Sequence, residues 1–356
     1  MPTIEVGGVE KNLIILANYL INKINEVSII TISKKYKSKF NKKIRFISLR
    51  STFWASLGKR KKFFIGLYLL LKQIIKDRNI IVLCLQGNIY CTLLCKLLGI
   101  KIIVRSNTAP DGWSKNIYKF FCYKYILSLA DRIIVNSKEF KKRFKTKFKI
   151  DTVCIYNPLD KKEIIEKSKI KKSIKFDKNK LNLIHVGRLV DQKDQMTILK
   201  AANEIKNRIN FNLIMVGDGE ERNNLLNYIH KNNLDKKVQL LSSKNEPLSL
   251  IKASDIFLLS SLYEGLPNVL LEAQVLKTYI ISSNCLTGPK EILLNGKAGS
   301  LFKVGDFRDL SNQIIYFSKN KRKSSYKIML GYKNLFRFDY KNNLKIYFNE
   351  INSLMN

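Results

Sequence analysis

Short β-branched, apolar runs alternate with helix-length stretches along this 356-residue chain, and that alternation limits its folds more than any other feature. VSIITIS (27–33), NIIVLCL (79–85), IKIIVRS (100–106), DRIIVNS (131–137) and TVCIYN (152–157) have the length and composition of strands. Helix-length segments at 10–22, 59–78 and 89–98 separate them. After LDKKEIIEKSKIKKSIKFDKNK (159–180), a charged stretch that reads as a linker, a second series begins: LNLIHVG (181–187), FNLIMVG (211–217), KVQLLS (237–242), DIFLLSS (255–261) and TYIISS (278–283). Repeated βα units build parallel, doubly wound sheets. Two series therefore predict an α/β protein of two Rossmann-like doubly wound domains facing across a cleft. The boundaries expected are residues 1–160 and 161–338, with the KNNLKIYFNEI periodicity placing a helix at 339–356 that crosses back to the first domain. Ligands of such sheets sit outside the carboxyl ends of the strands.

Composition removes several function classes. The longest apolar run, FFIGLYLLL (63–71), falls short of the roughly 20 residues that span a bilayer. The opening MPTIEVGGVEKN lacks the marks of a secretory signal, so the chain is expected in the cytoplasm. Six cysteines form no CxxC pair, and His185 and His230 are too few for a histidine-rich metal site or a histidine-centred triad. Both histidines read as structural or surface residues. The net charge of +37 is uneven, with 40 basic and 12 acidic residues in 1–180. Such a field favours polyanions, although a lysine-rich composition would also produce it. GKRKKFFIGLYLLLKQIIKDR (58–78) suits either an interfacial helix or a cover for the first sheet. A Gly7-Gly8 turn into a helix should follow a strand, yet only six residues precede it. The gene is therefore expected to encode further apolar residues upstream of Met1; the other reading is a short strand at 2–6.

Three segments carry chemistry. In SSLYEGLPNVLLEA (260–273), seven residues separate Glu264 from Glu272. Pro267 suits a first helical turn, which puts Glu264 in a loop, Glu272 on the helix, and the N–H groups of Asn268 and Val269 where a helix N-terminus can bind a diphosphate. Glu272 can accept hydrogen bonds from a ribose, and Glu264 can hold a sugar hydroxyl or stabilise positive charge at an anomeric carbon. In HVGRLVDQKDQ (185–195), Gly187 ends a strand and Arg188 and Lys193 can neutralise a departing diphosphate. In VGDGEE (216–221), Gly217 and Gly219 permit close backbone approach at a strand-loop-helix corner.

In this order the segments resemble family 4 glycosyltransferases of the GT-B fold, together with GGVEKNLIILANYL (7–20), NPLD (157–160) and GPKEILLNGKAG (288–299). The resemblance implies a retaining transferase that moves a sugar from a nucleoside diphosphate sugar to a hydroxyl of a bacterial surface glycan, carried on a polyprenyl diphosphate. It implies Glu264, Arg188 and Lys193 as catalytic groups. The donor would be held by Gly7, Gly8, Gly187, Arg188, Lys193, Gly217, Asp218, Gly265, Leu266, Asn268, Val269 and Glu272. The chain reads VRSNTAPDGW (104–113) where many members carry a histidine near the transferred sugar, so Arg105 or Asn107 is expected to take that acceptor-side place. No DxD motif occurs, and neither a metal nor a cofactor is expected. Besides donor and acceptor, the expected partner is the anionic inner face of the plasma membrane, met peripherally, and no nucleic acid. The competing readings are a sugar-nucleotide epimerase of the same architecture, a non-catalytic polyanion-binding protein, and a truncated, inactive transferase.

Overall fold

The computed structural model describes residues 8–32, 36–49, 58–106, 116–170, 176–177, 179–243 and 247–355. The chain divides into two compact units, one of Met1–Pro158 with Tyr340–Asn356 and the other of Leu159–Asp339.

In the first unit, α1 (Gly8–Leu20) leads to β1 (Ser28–Ile30) and β2 (Arg45–Ile47), which pair in parallel. Then follow α2 (Lys59–Lys76), β3 (Ile81–Cys84), α3 (Asn88–Leu97), β4 (Lys101–Ser106), α4 (Ile117–Ser128), β5 (Arg132–Val135), α5 (Lys138–Arg143) and β6 (Val153–Cys154). Strands β3, β4, β5 and β6 lie side by side, all parallel. Alternate strand residues face opposite layers. Ile102, Val104, Ile133 and Val135 pack with Leu70, Ile74, Cys95, Leu127 and Phe140 from α2 to α5. Ile103, Ile134 and Ile155 point the other way.

The second unit opens with α6 (Lys161–Lys167), inside the segment expected to be a linker. Asp160 caps this helix, its carboxylate accepting from the Glu163 backbone N–H at 3.0 Å, and Ile164 is buried. The order continues β7 (Leu181–Val186), α7 (Gln195–Ile205), β8 (Phe211–Val216), α8 (Arg222–Lys231), β9 (Val238–Leu241), α9 (Pro247–Ala253), β10 (Ile256–Leu259), α10 (Asn268–Val275), β11 (Tyr279–Ser283), α11 (Pro289–Ile292), β12 (Ser300–Phe302), α12 (Phe307–Lys319) and α13 (Lys321–Lys333). Its six parallel strands run β12-β11-β10-β7-β8-β9. β10 and β11 are buried throughout, as expected of strands covered on both faces. From β7 the chain winds outward through β8 and β9, then returns to the other side of β7 to lay down β10. The neighbours β7 and β10 thus mark the topological switch point, the place at which sheets of this kind bind ligands.

The final helix, α14 (Tyr340–Asn352), packs in the first unit, with Leu344, Tyr347 and Ile351 buried among Leu16, Leu20, Ile103, Ile134 and Ile155. Among the described residues no helix is long and apolar enough to cross a membrane. Because Leu344 is fully buried, Leu344→Ala is expected to cost about 2–5 kcal/mol of first-unit stability. Urea unfolding followed by first-unit probes measures this; a loss below about 0.5 kcal/mol would show that α14 is not part of that core.

Candidate functional site

Bare backbone sets the geometry at the switch point. A Cβ on Gly217, just after β8, would lie 1.9 Å from the Gly187 carbonyl oxygen, and one on Gly219 would lie 2.1 Å from that of Leu189. The Leu189 N–H donates to the Asp218 carbonyl (2.9 Å) and the Glu221 N–H to the Leu189 carbonyl (3.0 Å). The two glycines therefore let the loop after β8 brace the loop carrying Arg188. Asp218 itself turns to the loop after β9, accepting from the Ser243 N–H at 2.9 Å and from the Ser242 and Ser243 hydroxyls. Those bonds, the Ser243 hydroxyl first, hold its carboxyl below the usual range.

Across the switch point, the loops after β7 and β10 are laced together. Ser260 Oγ donates to the Lys193 carbonyl (2.8 Å), the Leu262 N–H to the Gln192 carbonyl (2.9 Å), and Gln192 Nε2 to the Tyr263 carbonyl (2.9 Å). This brings Lys193 Nζ against Glu264 Oε1 in an ion pair whose side chains are 15% and 8% exposed. Ser261 Oγ donates to the same carboxylate oxygen at 2.6 Å. The loop after β11 adds a third wall: Thr287 Oγ1 donates to the Glu264 carbonyl, and a Cβ on Gly288 would meet the Gly265 carbonyl oxygen at 2.0 Å. Glu264 is thus held through both backbone and carboxylate.

Sequence reasoning assigned no role to the support beneath Arg188. His185 is fully buried on β7, with Nδ1 3.0 Å from the Leu258 carbonyl and Nε2 3.1 Å from Gln195 Nε2. A carbonyl can only accept, so these partners assign the proton to Nδ1 and leave Nε2 to accept from Gln195. The second amide hydrogen of Gln195 goes to the Arg188 carbonyl at 2.7 Å. Core strand, imidazole and amide thereby form one relay that ends on the backbone of Arg188, whose side chain is exposed. A histidine on a mostly apolar strand, ten residues before a glutamine at the start of a helix, was the available signal.

The remaining expected residues fall in several places. Leu266 is buried, Asn268 and Val269 form the first turn of α10, and Glu272 lies on its outer half, partly exposed. Pro267 is the N-cap and not the first helical residue, with φ −70° and ψ 107°. Gly8 begins α1 and is exposed, whereas Gly7 and Asn107 lie outside the described residues. Arg105 belongs to the first unit and is 1% exposed. Its Nη2 donates to Asn157 Oδ1, while Nε and Nη1 are buried without a hydrogen-bond partner among the described residues. No three described His, Cys, Asp or Glu side chains are grouped as a metal ion would require.

Two Rossmann-like units, one with cations and a carboxylate gathered at its switch point, define an α/β protein of the doubly wound class. Family models narrow this. The Glycosyltransferase Family 4 model matches residues 6–163 and the Glycosyl transferases group 1 model residues 166–331. The chain belongs to the family 4 glycosyltransferases, with the GT-B fold. An uncharacterized glycosyltransferase of Methanocaldococcus jannaschii is 35% identical over 197 residues, 52% of this chain and 48% of that protein. A Campylobacter jejuni protein named N-acetylgalactosamine-N,N'-diacetylbacillosaminyl-diphospho-undecaprenol 4-alpha-N-acetylgalactosaminyltransferase is 27% identical over 60% of each chain. The matches to these two curated relatives span only about half to three-fifths of their length. Among solved structures, Anabaena HepE in complex with UDP superposes with a TM-score of 0.79 at 16% identity, covering 99% of this chain and 98% of that one.

Burial pushes the His185 imidazole down to about 4, against an ordinary value of 6.5. Between those pH values the unfolded chain binds the extra proton, so this contribution is complete above pH 6.5 and is lost as pH falls towards 4, by about 3 kcal/mol in all. Urea titrations at several pH values should show that slope in the parent and a clearly shallower one in His185→Asn. Equal slopes would mean that His185 does not titrate with unfolding.

Proposed function

We propose that the chain transfers a sugar from a nucleoside diphosphate sugar to a hydroxyl on a lipid-linked bacterial surface glycan, with retention at the anomeric carbon. The observation that carries this reading is the Lys193–Glu264 pair at the switch point, beside the braced loop of Arg188. A nucleoside diphosphate leaves with concentrated negative charge, and fixed cations in a partly dry site stabilise it best. Arg188 and Lys193 take that role, and the first turn of α10 adds backbone N–H groups and the positive end of the helix dipole.

In this reading Glu272 accepts hydrogen bonds from the ribose. Glu264, its carboxylate held by Lys193 and Ser261, faces the sugar and favours positive charge at its anomeric carbon. The acceptor oxygen attacks on the face from which the diphosphate departs. The carbon–phosphate-oxygen bond breaks as the new glycosidic bond forms, and the acceptor's proton passes to the departing phosphate oxygen. Donor binding lies in the second unit, while the basic first unit receives the acceptor at the inner face of the plasma membrane. The lipid diphosphate named for the Campylobacter relative supports an acceptor of this class.

Three variants separate the proposed roles. Glu272→Gln is expected to weaken donor binding by about 1–3 kcal/mol with little change in kcat. Glu264→Gln and Arg188→Ala are expected to lower kcat, because their contacts strengthen as charge develops. The assay is transfer from UDP-, GDP- and ADP-sugars to a polyprenyl-diphosphate glycan, with donor titrations for each variant. Turnover at the parent rate in both Glu264→Gln and Arg188→Ala would remove the catalytic assignment. Release of free nucleotide without any acceptor dependence would remove the transferase reading.

A further inference from the structure

We propose that the outer face of α2, α3 and α4 is a docking surface for an anionic lipid bilayer. Its purpose rests on the lipid-linked acceptor proposed above, but the surface itself is argued from exposure and charge alone. α3 packs against both α2 and α4, and all three cover the same side of the β3–β6 sheet through Leu70, Ile74, Cys95 and Leu127. A helix with one side on a sheet is ordinarily polar on the other. These three are apolar on both.

On α4 the outward residues are Tyr118, Phe121 and Tyr125, spaced i, i+3, i+7 and 57–80% exposed. That spacing forms a single stripe. Tyr90, Leu93 and Leu97 repeat it on α3, with Leu97 76% exposed. On α2, Phe64 and Tyr68 stand one turn apart and are exposed. Scattered apolar residues on a surface need no explanation, whereas adjacent stripes on three neighbouring helices make a patch of the kind that marks an interaction site.

Charge selects the occupant. The sequences of α2, α3 and α4 contain no aspartate or glutamate, while Lys61, Lys62, Lys72, Lys119 and Lys124 are interleaved with the aromatics. Lys72 Nζ sits 4.7 Å from the centre of the Tyr68 ring, which combines the two features at one point. A second copy of the chain would bring like charges together with no carboxylate on these helices to meet them. An anionic headgroup layer supplies the missing negative charge, and tyrosine suits its boundary, with an apolar ring and a polar tip. The aromatic stripes enter that boundary, and the lysines remain at headgroup level.

The test is co-sedimentation of the full chain with phosphatidylcholine vesicles, with and without phosphatidylglycerol. The parent should bind the anionic vesicles more tightly, with affinity falling as salt rises. Tyr118→Ser/Phe121→Ser/Tyr125→Ser should lower binding about tenfold or more at every salt concentration. Lys119→Glu/Lys124→Glu should lower it at least roughly fivefold for each lysine at low salt and flatten the salt dependence. Tyr118, Lys119, Phe121 and Tyr125 are exposed and Lys124 is half-buried, and an unchanged Tm in each variant verifies the fold. The proposal is overturned if the folded parent does not bind anionic vesicles, or if the triple variant binds like the parent. It is also overturned if lipid-free chain dimerises and the triple variant abolishes that dimer, since a second copy then owns the face. UDP binding is measured in parallel. Its loss with vesicle binding intact would strike the transferase reading and leave the docking surface standing.

Discussion

A methyl group at position 217 would lie 1.9 Å from the Gly187 carbonyl oxygen, and one at 288 would lie 2.0 Å from that of Gly265. The loops that leave β7, β8, β10 and β11 can meet only where their backbones are bare, and the arrangement of the site depends on that contact. With main chain packed on main chain, the loops are fixed at their closest approach, and side-chain hydrogen bonds lace them further. Arg188 is left exposed on its braced loop, and Lys193 is held against Glu264. The supporting hydrogen bonds come from Ser260, Ser261 and Thr287, short side chains that lose little conformational entropy on being fixed, and from the buried Gln195 and His185. A pre-formed site of this kind has little reorganisation left to do when charge develops.

The two units use their surfaces differently. The second gathers its functional groups at strand ends and buries its sheet on both faces. The first carries most of the positive surplus and leaves apolar stripes exposed on α2, α3 and α4. A transferase with a water-soluble donor and a lipid-borne acceptor would need both kinds of surface. α14 ties the two ends of the sequence into one core, because Leu344 and Ile351 fill the same layer as Leu16 and Leu20.

Much of the fold was legible because buried parallel strands are continuous apolar runs, and every strand read from such a run is present. The missed strands, Arg45–Ile47 and Ser300–Phe302, are three residues long, too short for any period to emerge. α6 was hidden by its charge, although Asp160 followed three residues later by Glu163 is a helix-start signal that outweighs weak periodicity. At the site, Arg188, Lys193 and Glu264 could be picked out because cations and carboxylates at strand ends need a reason to be there. Their supports could not. Ser261 and Thr287 are ordinary residues in any loop, and the His185–Gln195–Arg188 relay depends on burial and ring orientation, which spacing does not convey. For Arg105 the sequence showed a cation at a strand end but neither its burial nor its bond to Asn157, which depend on the packing around it.

The central claim is that the switch point of the second unit is a pre-formed nucleoside diphosphate site. A crystal structure of the chain with UDP or the preferred donor nucleotide tests it most directly. The diphosphate should lie within hydrogen-bond reach of Arg188, Lys193 and the first turn of α10, with the ribose on Glu272 and the loops after β7, β8 and β10 essentially unmoved. A nucleotide bound elsewhere, or bound at the switch point only after the Gly187–Gly217 contact had opened, would contradict it.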